Sequence, residues 1–581
     1  MLWSIWDLQD LQAALAIEPD NHHARGLLHN PVKHHLSPSP FAASFASSSS
    51  ASSHLHSTSP APSIDPPLRG TPVSSGPRFS PEIWREIVLF LPRRDLKTLL
   101  RVPHTLSRIA SQLLFCKINL YFSSWESVEE DETETWRSSA VGPGHAGMGL
   151  IDAHKGGAGG STSVHADHAE QDSWHAQRSA DILTRIIVDP GFAALVKTLR
   201  IYATKRDRDG SLAFQIGMLT NALPKIVNLR NVHIASHSEG LFPILRVVQS
   251  TSPNLRGLSI SSPDGPGELG LLEFKQLAQF SYKTSRTNNN IAHVSSFLSQ
   301  NRTTLRIVSL DTPAAVFPTD VLALRNLTHV DFNGHFPLNS QVLLAILSDG
   351  RQLESLAIGC FLDCQGLSAQ FRDLPNALPF LRHFAFSVHR LNRRITDADL
   401  FPAIADFLRD RRQLRTLHLT VPDDYVQRAI GFDASVWGVL PSLVDLKSLA
   451  ITYPIDLSPG LASWLIPRSV LALNIDCVNL PMRDPVPFLN QLRTGIPPSL
   501  RYIGMTECPL RTISAIVEQG FPMVRLIRVG SNYWTVARSA DDTVVELEQW
   551  PKRRVMYHAS EWLEWLGCED ARWRDHSEFP P

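Results

Sequence analysis

The sequence predicts an α/β solenoid, in which parallel strands form an inner sheet and helices pack on its outer side. Three observations predict this fold class. A six-residue pattern with apolar residues at its first, fourth and sixth positions recurs from Val196 onward. The segments between the copies have the apolar spacing of helices. The chain has 581 residues, of which 43% are hydrophobic, so it is long enough to build a sizeable core.

Thirteen copies of the pattern follow one another at intervals that average about 27 residues, within the range typical of leucine-rich repeats. The copies are VKTLRI at 196, LRNVHI at 229, LRGLSI at 255, LAQFSY at 277, LRIVSL at 305, LTHVDF at 327, LESLAI at 353, LRHFAF at 381, LRTLHL at 414, LKSLAI at 446, VLALNI at 470, LRYIGM at 500 and VRLIRV at 524. The chain therefore resembles a leucine-rich-repeat protein, and we assign residues 178–540 to the solenoid. The alternative, a nucleotide-binding α/β domain, would need longer helices and a glycine-rich first turn.

Between the strands, the spacing predicts outer helices. Residues 340–347 form one helix that ends before Gly350. Residues 397–408 form another, with Leu400, Ile404 and Phe407 on one side. Residues 179–188 also have helical periodicity, just before the first repeat. Each repeat is then expected to cover the apolar edge of its neighbour.

The residues that alternate with the apolar positions should line the concave face of the sheet, because side chains of a strand point to opposite faces. Thirteen strands about 4.8 Å apart give a surface on the order of 60 Å long, which suits a protein ligand better than a metabolite. The face reads as polar, mixed and without net charge. As candidate substrate-binding residues we select Arg200, Tyr202, His233, Asp331, His383, His418, Asp476 and Tyr502.

Residues 79–115 read as three short amphipathic helices. Ser80 can cap the first, with Pro81 at its first position and Glu82 in its first turn. Asp95 can cap a second helix that carries Leu96, Leu99 and Leu100. A third helix has four apolar residues in register, namely Leu106, Ile109, Ala110 and Leu113. A block this small usually needs a disulfide, a metal or a partner to fold. It has a single cysteine, Cys116, at its border, so a partner is the most plausible missing component.

This block is similar to the F-box, the helical module by which substrate receptors bind the adaptor of cullin-RING ubiquitin ligases. The family's Leu-Pro-x-Glu lies over residues 79–82, where Glu82 matches and the proline is displaced by one position. Its Val-Cys-x-x-Trp lies over residues 102–106, where only Val102 matches. The resemblance implies adaptor-binding residues at Phe79, Pro81, Glu82, Ile83, Ile87, Leu91, Leu96, Leu99, Val102 and Leu106.

The resemblance also implies a function: the F-box binds the ligase adaptor, and the repeat arc binds an unknown protein substrate for ubiquitination. Catalysis would belong to other subunits, and this chain would act by proximity. Two alternatives stay open. The three helices could simply cap the solenoid, and the chain could be a leucine-rich-repeat interaction scaffold without a ligase role.

Composition limits the other classes of function. The formal net charge of -1 gives no bulk electrostatic reason to expect nucleic acid or an anionic membrane as a partner. Six cysteines without a Cys-x-x-Cys pair fit neither a disulfide scaffold nor a structural zinc site. The amino terminus is a poor signal peptide, and no run of 18 or more apolar residues occurs. We expect a cytoplasmic or nuclear protein.

The remaining segments are compositionally distinct. Residues 1–77 are rich in Ser, Pro and His and read as a disordered arm, and residues 78–120 are the F-box-like module. Residues 121–177 read as a disordered insertion, acidic first and then rich in Gly and His. Residues 541–581 carry Trp550, Trp562, Trp565 and Trp573 and are expected to cap the open end of the solenoid. A partner-binding aromatic patch is the alternative for these tryptophans.

No sequence motif predicts a catalytic, nucleotide-binding or metal-binding site. Gly142, Gly144 and Gly147 match Gly-x-Gly-x-x-Gly but do not lie between a strand and a helix. Histidines between residues 145 and 175 lie in glycine-rich sequence that cannot fix metal geometry. The acidic run at residues 129–134 reads as a hydrated loop, with docking of a basic partner as the alternative. We therefore predict a non-catalytic protein with no catalytic residue, cofactor or metal.

Overall fold

A computed structural model describes residues 80–122, 176–203, 211–263, 269–284, 292–477, 486–506 and 521–572, with short gaps inside these ranges. The chain divides into two compact units between Pro77 and Arg78, and every described residue belongs to the second unit. Within it, sixteen strands form one sheet whose spatial order is their order in the sequence.

Fourteen strands, β1 to β14, run parallel, and β15 and β16 add an antiparallel hairpin at the end. This order means that each repeat packs only on its neighbours, as in a solenoid. The strands are β1 Lys117–Tyr121, β2 Thr198–Ala203, β3 Asn231–Ser236, β4 Gly257–Ser261, β5 Gln279–Lys283, β6 Ile307–Asp311, β7 His329–Phe336, β8 Ser355–Leu362, β9 His383–Leu391, β10 Thr416–Thr420, β11 Ser448–Thr452, β12 Ala472–Asp476, β13 Tyr502–Thr506, β14 Leu526–Val529, β15 Asn532–Arg538 and β16 Val544–Gln549.

Helices precede the sheet and alternate with its strands. They are α1 Pro81–Leu89, α2 Arg93–Leu99, α3 Thr105–Leu114, α4 over residues 176–188, α5 Pro190–Ala193, α6 Ser211–Ala222, α7 Ser238–Thr251, α8 Ala292–Asn301, α9 Val342–Asp349, α10 Leu367–Asp373, α11 Leu400–Leu408, α12 Asp424–Ile430, α13 Ala434–Trp437, α14 Pro459–Leu465 and α15 Val486–Arg493. Short 3-10 turns at residues 223–225, 269–271, 324–326, 440–442 and 569–572 and a helical turn over residues 562–565 also occur.

The repeated apolar positions build one continuous core under the sheet. The fourth position of the pattern gives a buried row that includes Leu356, Phe384, Leu417 and Leu449. The sixth position gives a parallel row in the same core. Because the pairing register is kept from strand to strand, apolar side chains spaced by whole repeats in the sequence become direct neighbours.

All thirteen predicted strand segments are strands in the structure, as β2 to β14. Helix α9 ends before Gly350 as predicted, and α11 buries Leu400, Ile404 and Phe407. The sheet also contains three strands that were not predicted. Strand β1 lies inside the range assigned to the helical module, and the hairpin β15–β16 follows the last repeat.

A half-buried arginine joins the outer side of two neighbouring repeats. Arg411 donates hydrogen bonds to the carbonyl oxygens of Phe407 at 2.9 Å and Leu378 at 2.6 Å, and also to that of Ala377. Its guanidinium lies 3.9 Å from the centroid of the Phe407 ring. Burial lowers the pKa of Arg411 to about 10, so the group stays charged at neutral pH. Leu378 has a positive φ of 57°, a strained conformation that these bonds help to hold.

Several sequence interpretations concern residues outside the described ranges. These are the disordered arm at 1–77, most of the insertion at 121–177 with its glycine, histidine and acidic motifs, and two named side chains, Phe79 and Trp573. In the described part of the chain, no helix combines the length and the apolar composition that a membrane crossing requires.

Arg411→Met should lower the free energy of unfolding by about 3 kcal/mol, because it leaves buried carbonyl oxygens without their charged donor. The matched control is Arg412→Met, which changes the exposed arginine next to it. Urea unfolding followed by fluorescence measures both. Equal shifts of the two midpoints would show that Arg411 is not the joint between these repeats.

Candidate functional site

The three amino-terminal helices form a small cluster of their own. Val88, Leu96, Ile109 and Leu114 are buried in it, and it is separate from the core of the solenoid. Trp84, Leu91, Leu99 and Leu106 are among the partly buried residues that pack against it. Phe115 packs against both clusters and so joins the helices to the first repeat. The module therefore has a very small interior.

The local sequence explains how α1 begins. The Ile83 backbone N–H lies 3.5 Å from the hydroxyl of Ser80, and Pro81 is the first helical residue. Ser80 thus takes the predicted N-cap position. The predicted role of Asp95 is wrong, because α2 begins at Arg93 and Asp95 lies inside it.

The residues that the F-box resemblance implies for adaptor binding fall into three groups. Ile83, Ile87 and Val102 are exposed, at 47%, 41% and 37%. Leu96 is buried, and Leu91, Leu99 and Leu106 are partly buried in the module's own cluster. The apolar pattern of these four residues reflects their packing inside the module, so the surface that they offer to a partner is smaller than predicted. Pro81 and Glu82 lie at the start of α1, and Phe79 is outside the described residues.

The concave face in the middle of the sheet is polar and internally hydrogen-bonded. Ser309 donates to Asp331 at 3.1 Å, and the amide of Asn333 donates to Asp311 at 2.8 Å. Tyr202 and Tyr121 stack near the first repeat with ring centroids 5.0 Å apart. The pairing places these residues in continuous rows across neighbouring strands. The face is therefore a pre-ordered surface made of many short polar contacts.

Histidines occupy this face on four strands, including the predicted His233, His383 and His418, which are half-buried. His383 lies on β9, and its Nδ1 is 3.0 Å from the hydroxyl of Thr416 on β10. Burial lowers the pKa of His383 to about 4, with further lowering by His329 and the two arginines Arg415 and Arg382. Burial likewise lowers the pKa of His329. Both rings are thus neutral at physiological pH.

The carboxy-terminal segment, residues 559–572, lies against the concave side of the last repeats. Leu563, Leu566 and Cys568 share a buried cluster with Ala472 and Tyr502 of the sheet. Trp550 and Trp562 are neighbours there, with ring centroids 5.6 Å apart. The tryptophan-rich end was expected to cover only the open end of the solenoid. It reaches back instead as far as Arg415, which precedes β10.

Polar contacts fix this carboxy-terminal segment at the amino-terminal edge of the strands. Arg415 Nη2 is 3.0 Å from Asp570 Oδ2 and 3.8 Å from Glu569 Oε1. Arg501 donates to the carbonyl oxygen of Leu566 at 2.6 Å. Burial raises the pKa of the Asp570 carboxyl, while Arg415 acts in the opposite direction. The segment is therefore held by both apolar burial and charge.

Two predicted concave residues are not exposed. Tyr502 is buried because the carboxy-terminal segment covers it, and its hydroxyl lies 3.0 Å from Asn474 Oδ1. Gly504 makes room for this pair, since a Cβ there would lie 1.6 Å from Asn474 Oδ1. Arg200 on β2 is also buried. The predicted exposure of both is wrong, whereas Tyr202, Asp331 and Asp476 are half-buried on the face.

A row of basic residues at the amino-terminal edge of the sheet was missed by the sequence reading. It occupies the second position of the repeated pattern, where nine of the thirteen copies have Lys or Arg. Seven copies carry the arginine directly after their first apolar residue, as in LRNVHI and LRGLSI. The signal was present in the repeats, but only the alternating inner positions were considered. Among the described residues, no group of three or more His, Cys, Asp or Glu is arranged to hold a metal.

No protein-family model matches the chain, and no curated protein matches it either. Among solved structures, it is similar to a chain in the crystal structure of the Rad7 and Elc1 complex in yeast. The TM-score is 0.34, at 12% identity, over 56% of this chain and 73% of that one. A TM-score this low carries no argument, so function has to be argued from the residues of this chain.

Stability should fall as the pH drops from about 6.5 toward 4, because the unfolded chain binds a proton at His383 that the folded chain excludes. The pKa shift corresponds to a loss on the order of 3 kcal/mol from this one residue. Urea midpoints measured across this range should vary less in His383→Gln. The control is His293→Gln on the surface of α8. An unchanged pH profile in His383→Gln would contradict the assignment.

Leu566→Asp should detach the carboxy-terminal segment, because it places a charge inside an apolar cluster. Amide hydrogen exchange should then rise across residues 559–572 and stay unchanged in β2 to β8. The control is Leu547→Asp on β16, where the side chain is already exposed. If exchange increased equally in both variants, the segment would not be anchored by this cluster.

Proposed function

We propose that this chain is the substrate-recognition subunit of a cullin-RING ubiquitin ligase. In this proposal α1 to α3 are an F-box that binds the adaptor, and the solenoid is a leucine-rich-repeat arc that binds a protein substrate. The chain itself is non-catalytic and acts by holding the substrate beside the transfer machinery.

One observation carries the adaptor half of the proposal. Ile83 and Ile87 lie one turn apart on α1 and remain exposed, although the opposite side of that helix packs into the module. Val102, after α2, is exposed as well. Among the described residues, four large apolar side chains are buried in this cluster, so the module gains little stability on its own. A partner that covers Ile83 and Ile87 would supply the missing apolar burial.

The solenoid supports the substrate half by its size and chemistry. The described part of the concave face offers half-buried polar side chains from β1 to β9, while β10 to β14 are partly covered by the carboxy-terminal segment. Such a long, mixed surface fits a folded protein better than a small molecule. The interaction scaffold without a ligase role uses the same surface, and it differs only in lacking the adaptor.

Ile83→Asp together with Ile87→Asp should abolish co-purification of the full chain with the adaptor, because two charges would have to be buried at the interface. Size-exclusion chromatography and calorimetry of the two purified proteins measure the complex. The matched control is Val188→Asp, which changes an apolar residue that is 74% exposed on α4.

The wild-type chain and the control should both bind the adaptor. If the wild-type chain forms no complex, the scaffold function replaces the ligase function. If the double variant binds as well as the control, the docking side of α1 has been assigned wrongly.

A further inference from the structure

A row of residues in which nine of thirteen are Lys or Arg follows the amino-terminal edge of the sheet. The residues at the second position of the pattern are Lys197, Arg230, Arg256, Ala278, Arg306, Thr328, Glu354, Arg382, Arg415, Lys447, Leu471, Arg501 and Arg525. The backbone N–H of each residue donates to the carbonyl oxygen of the second-position residue on the preceding strand, at 2.7 to 2.9 Å. The residues are therefore stacked at the strand spacing of about 4.8 Å. We call this set the basic row.

The second half of the basic row already binds acidic peptide within the chain. Glu569 and Asp570 are consecutive acids at the start of the 3-10 turn at residues 569–572, and both approach Arg415. Lys447 acts electrostatically on the same Asp570 carboxyl. Arg501 takes a backbone carbonyl of the carboxy-terminal segment instead. This edge thus has a geometry that accepts carboxylates and peptide carbonyls of a segment lying across the strands.

The first half of the basic row is open. Lys197, Arg230, Arg256 and Arg306 are exposed, and within the described ranges none of them forms an ion pair. Arg306 donates only to nearby backbone carbonyls, at 2.9 and 3.2 Å. The carboxy-terminal segment covers the corresponding edge of β10 to β14 and does not reach this half.

An orphaned acceptor lies beside these cations on the concave face. Gln279, on β5, has its Oε1 buried without a hydrogen-bond partner among the described residues. Such an atom carries a desolvation cost, which a rotation of the Gln279 side chain toward a donor of a bound peptide would remove. Lys197, Arg230 and Arg256 precede three neighbouring strands, so their spacing is shorter than the Debye length of about 8 Å. Like charges this close raise the local potential, which an anionic ligand would lower.

We propose that the open half of the basic row binds an acidic segment of the protein substrate, carrying consecutive Asp or Glu residues. It would repeat between chains the contacts that Glu569 and Asp570 make within the chain. This inference deepens the substrate half of the proposed function and rests on it. A peptide fits better than a nucleic acid, because the occupant already seen on this row binds through carboxylate and peptide carbonyl oxygens.

The probe is a fluorescein-labelled ten-residue peptide of alternating Asp and Glu, titrated into the full chain and followed by anisotropy. Binding should weaken at higher salt, and Arg230→Glu with Arg256→Glu should weaken it by about tenfold or more. The matched control is Arg393→Glu with Arg394→Glu, which changes two exposed arginines just after β9, at the opposite edge of the sheet. This control alters net charge equally and should leave binding nearly unchanged.

Three outcomes would overturn the proposal. The first is equal weakening by the two double variants, which would mean non-specific attraction. The second is tighter, Arg230- and Arg256-dependent binding of a single-stranded RNA of the same length. The third is a gain in peptide binding when the acidic residues at 129–134 of the chain itself are changed to Gln and Asn. This gain would mean that the acidic run occupies the basic row in the absence of peptide. Adaptor binding is measured on the same variants, so a loss of peptide binding with adaptor binding intact separates this proposal from the ligase proposal.

Discussion

The in-register pairing of parallel strands is the constraint on which the rest of the structure depends. From Cys116 to Arg525, each second-position residue bonds to the corresponding residue of the preceding strand. A slip of one residue anywhere would turn the buried Leu and Phe side chains toward solvent. Because the register is fixed in this way, any residue type that recurs at one position of the repeat becomes a continuous row in space. The apolar core, the polar concave face and the basic row all follow from this single geometry.

The amino-terminal helices are not under that constraint. They contact the solenoid through Phe115, but Val88, Leu96, Ile109 and Leu114 form a cluster apart from its core. The repeats stabilise one another in series, whereas the module has only a minimal interior. Two interpretations of the helices differ in what should cover α1: the repeats, if the helices cap the arc, or a partner protein, if they are a docking module. A cap would bury the outer side of α1 against the repeats, and Ile83 and Ile87 are instead exposed.

The sequence contained most of the fold because the repeat is periodic. The thirteen strands could be predicted because each has apolar residues at the same three positions of a six-residue pattern. Strand β1 obeys the same rule, as FCKINL at residue 115, but the long insertion after it breaks the period. The hairpin β15–β16 is antiparallel and has no counterpart in the repeat. The contacts of residues 559–572 were beyond prediction, since they join positions about 150 residues apart, such as Arg415 and Asp570.

The candidate site was predicted less well than the fold, for a related reason. Periodicity identifies which positions face the core, and it says nothing about what else covers the other positions. Tyr502 occupies the correct row for a ligand contact, yet another part of the same chain buries it. Net charge misleads in the same way. A total of -1 concealed nine cations on one edge, because total charge does not depend on position whereas the potential along an edge does. Since the strand pairing aligns these cations, the electrostatic character of this protein is set by its register rather than by its composition.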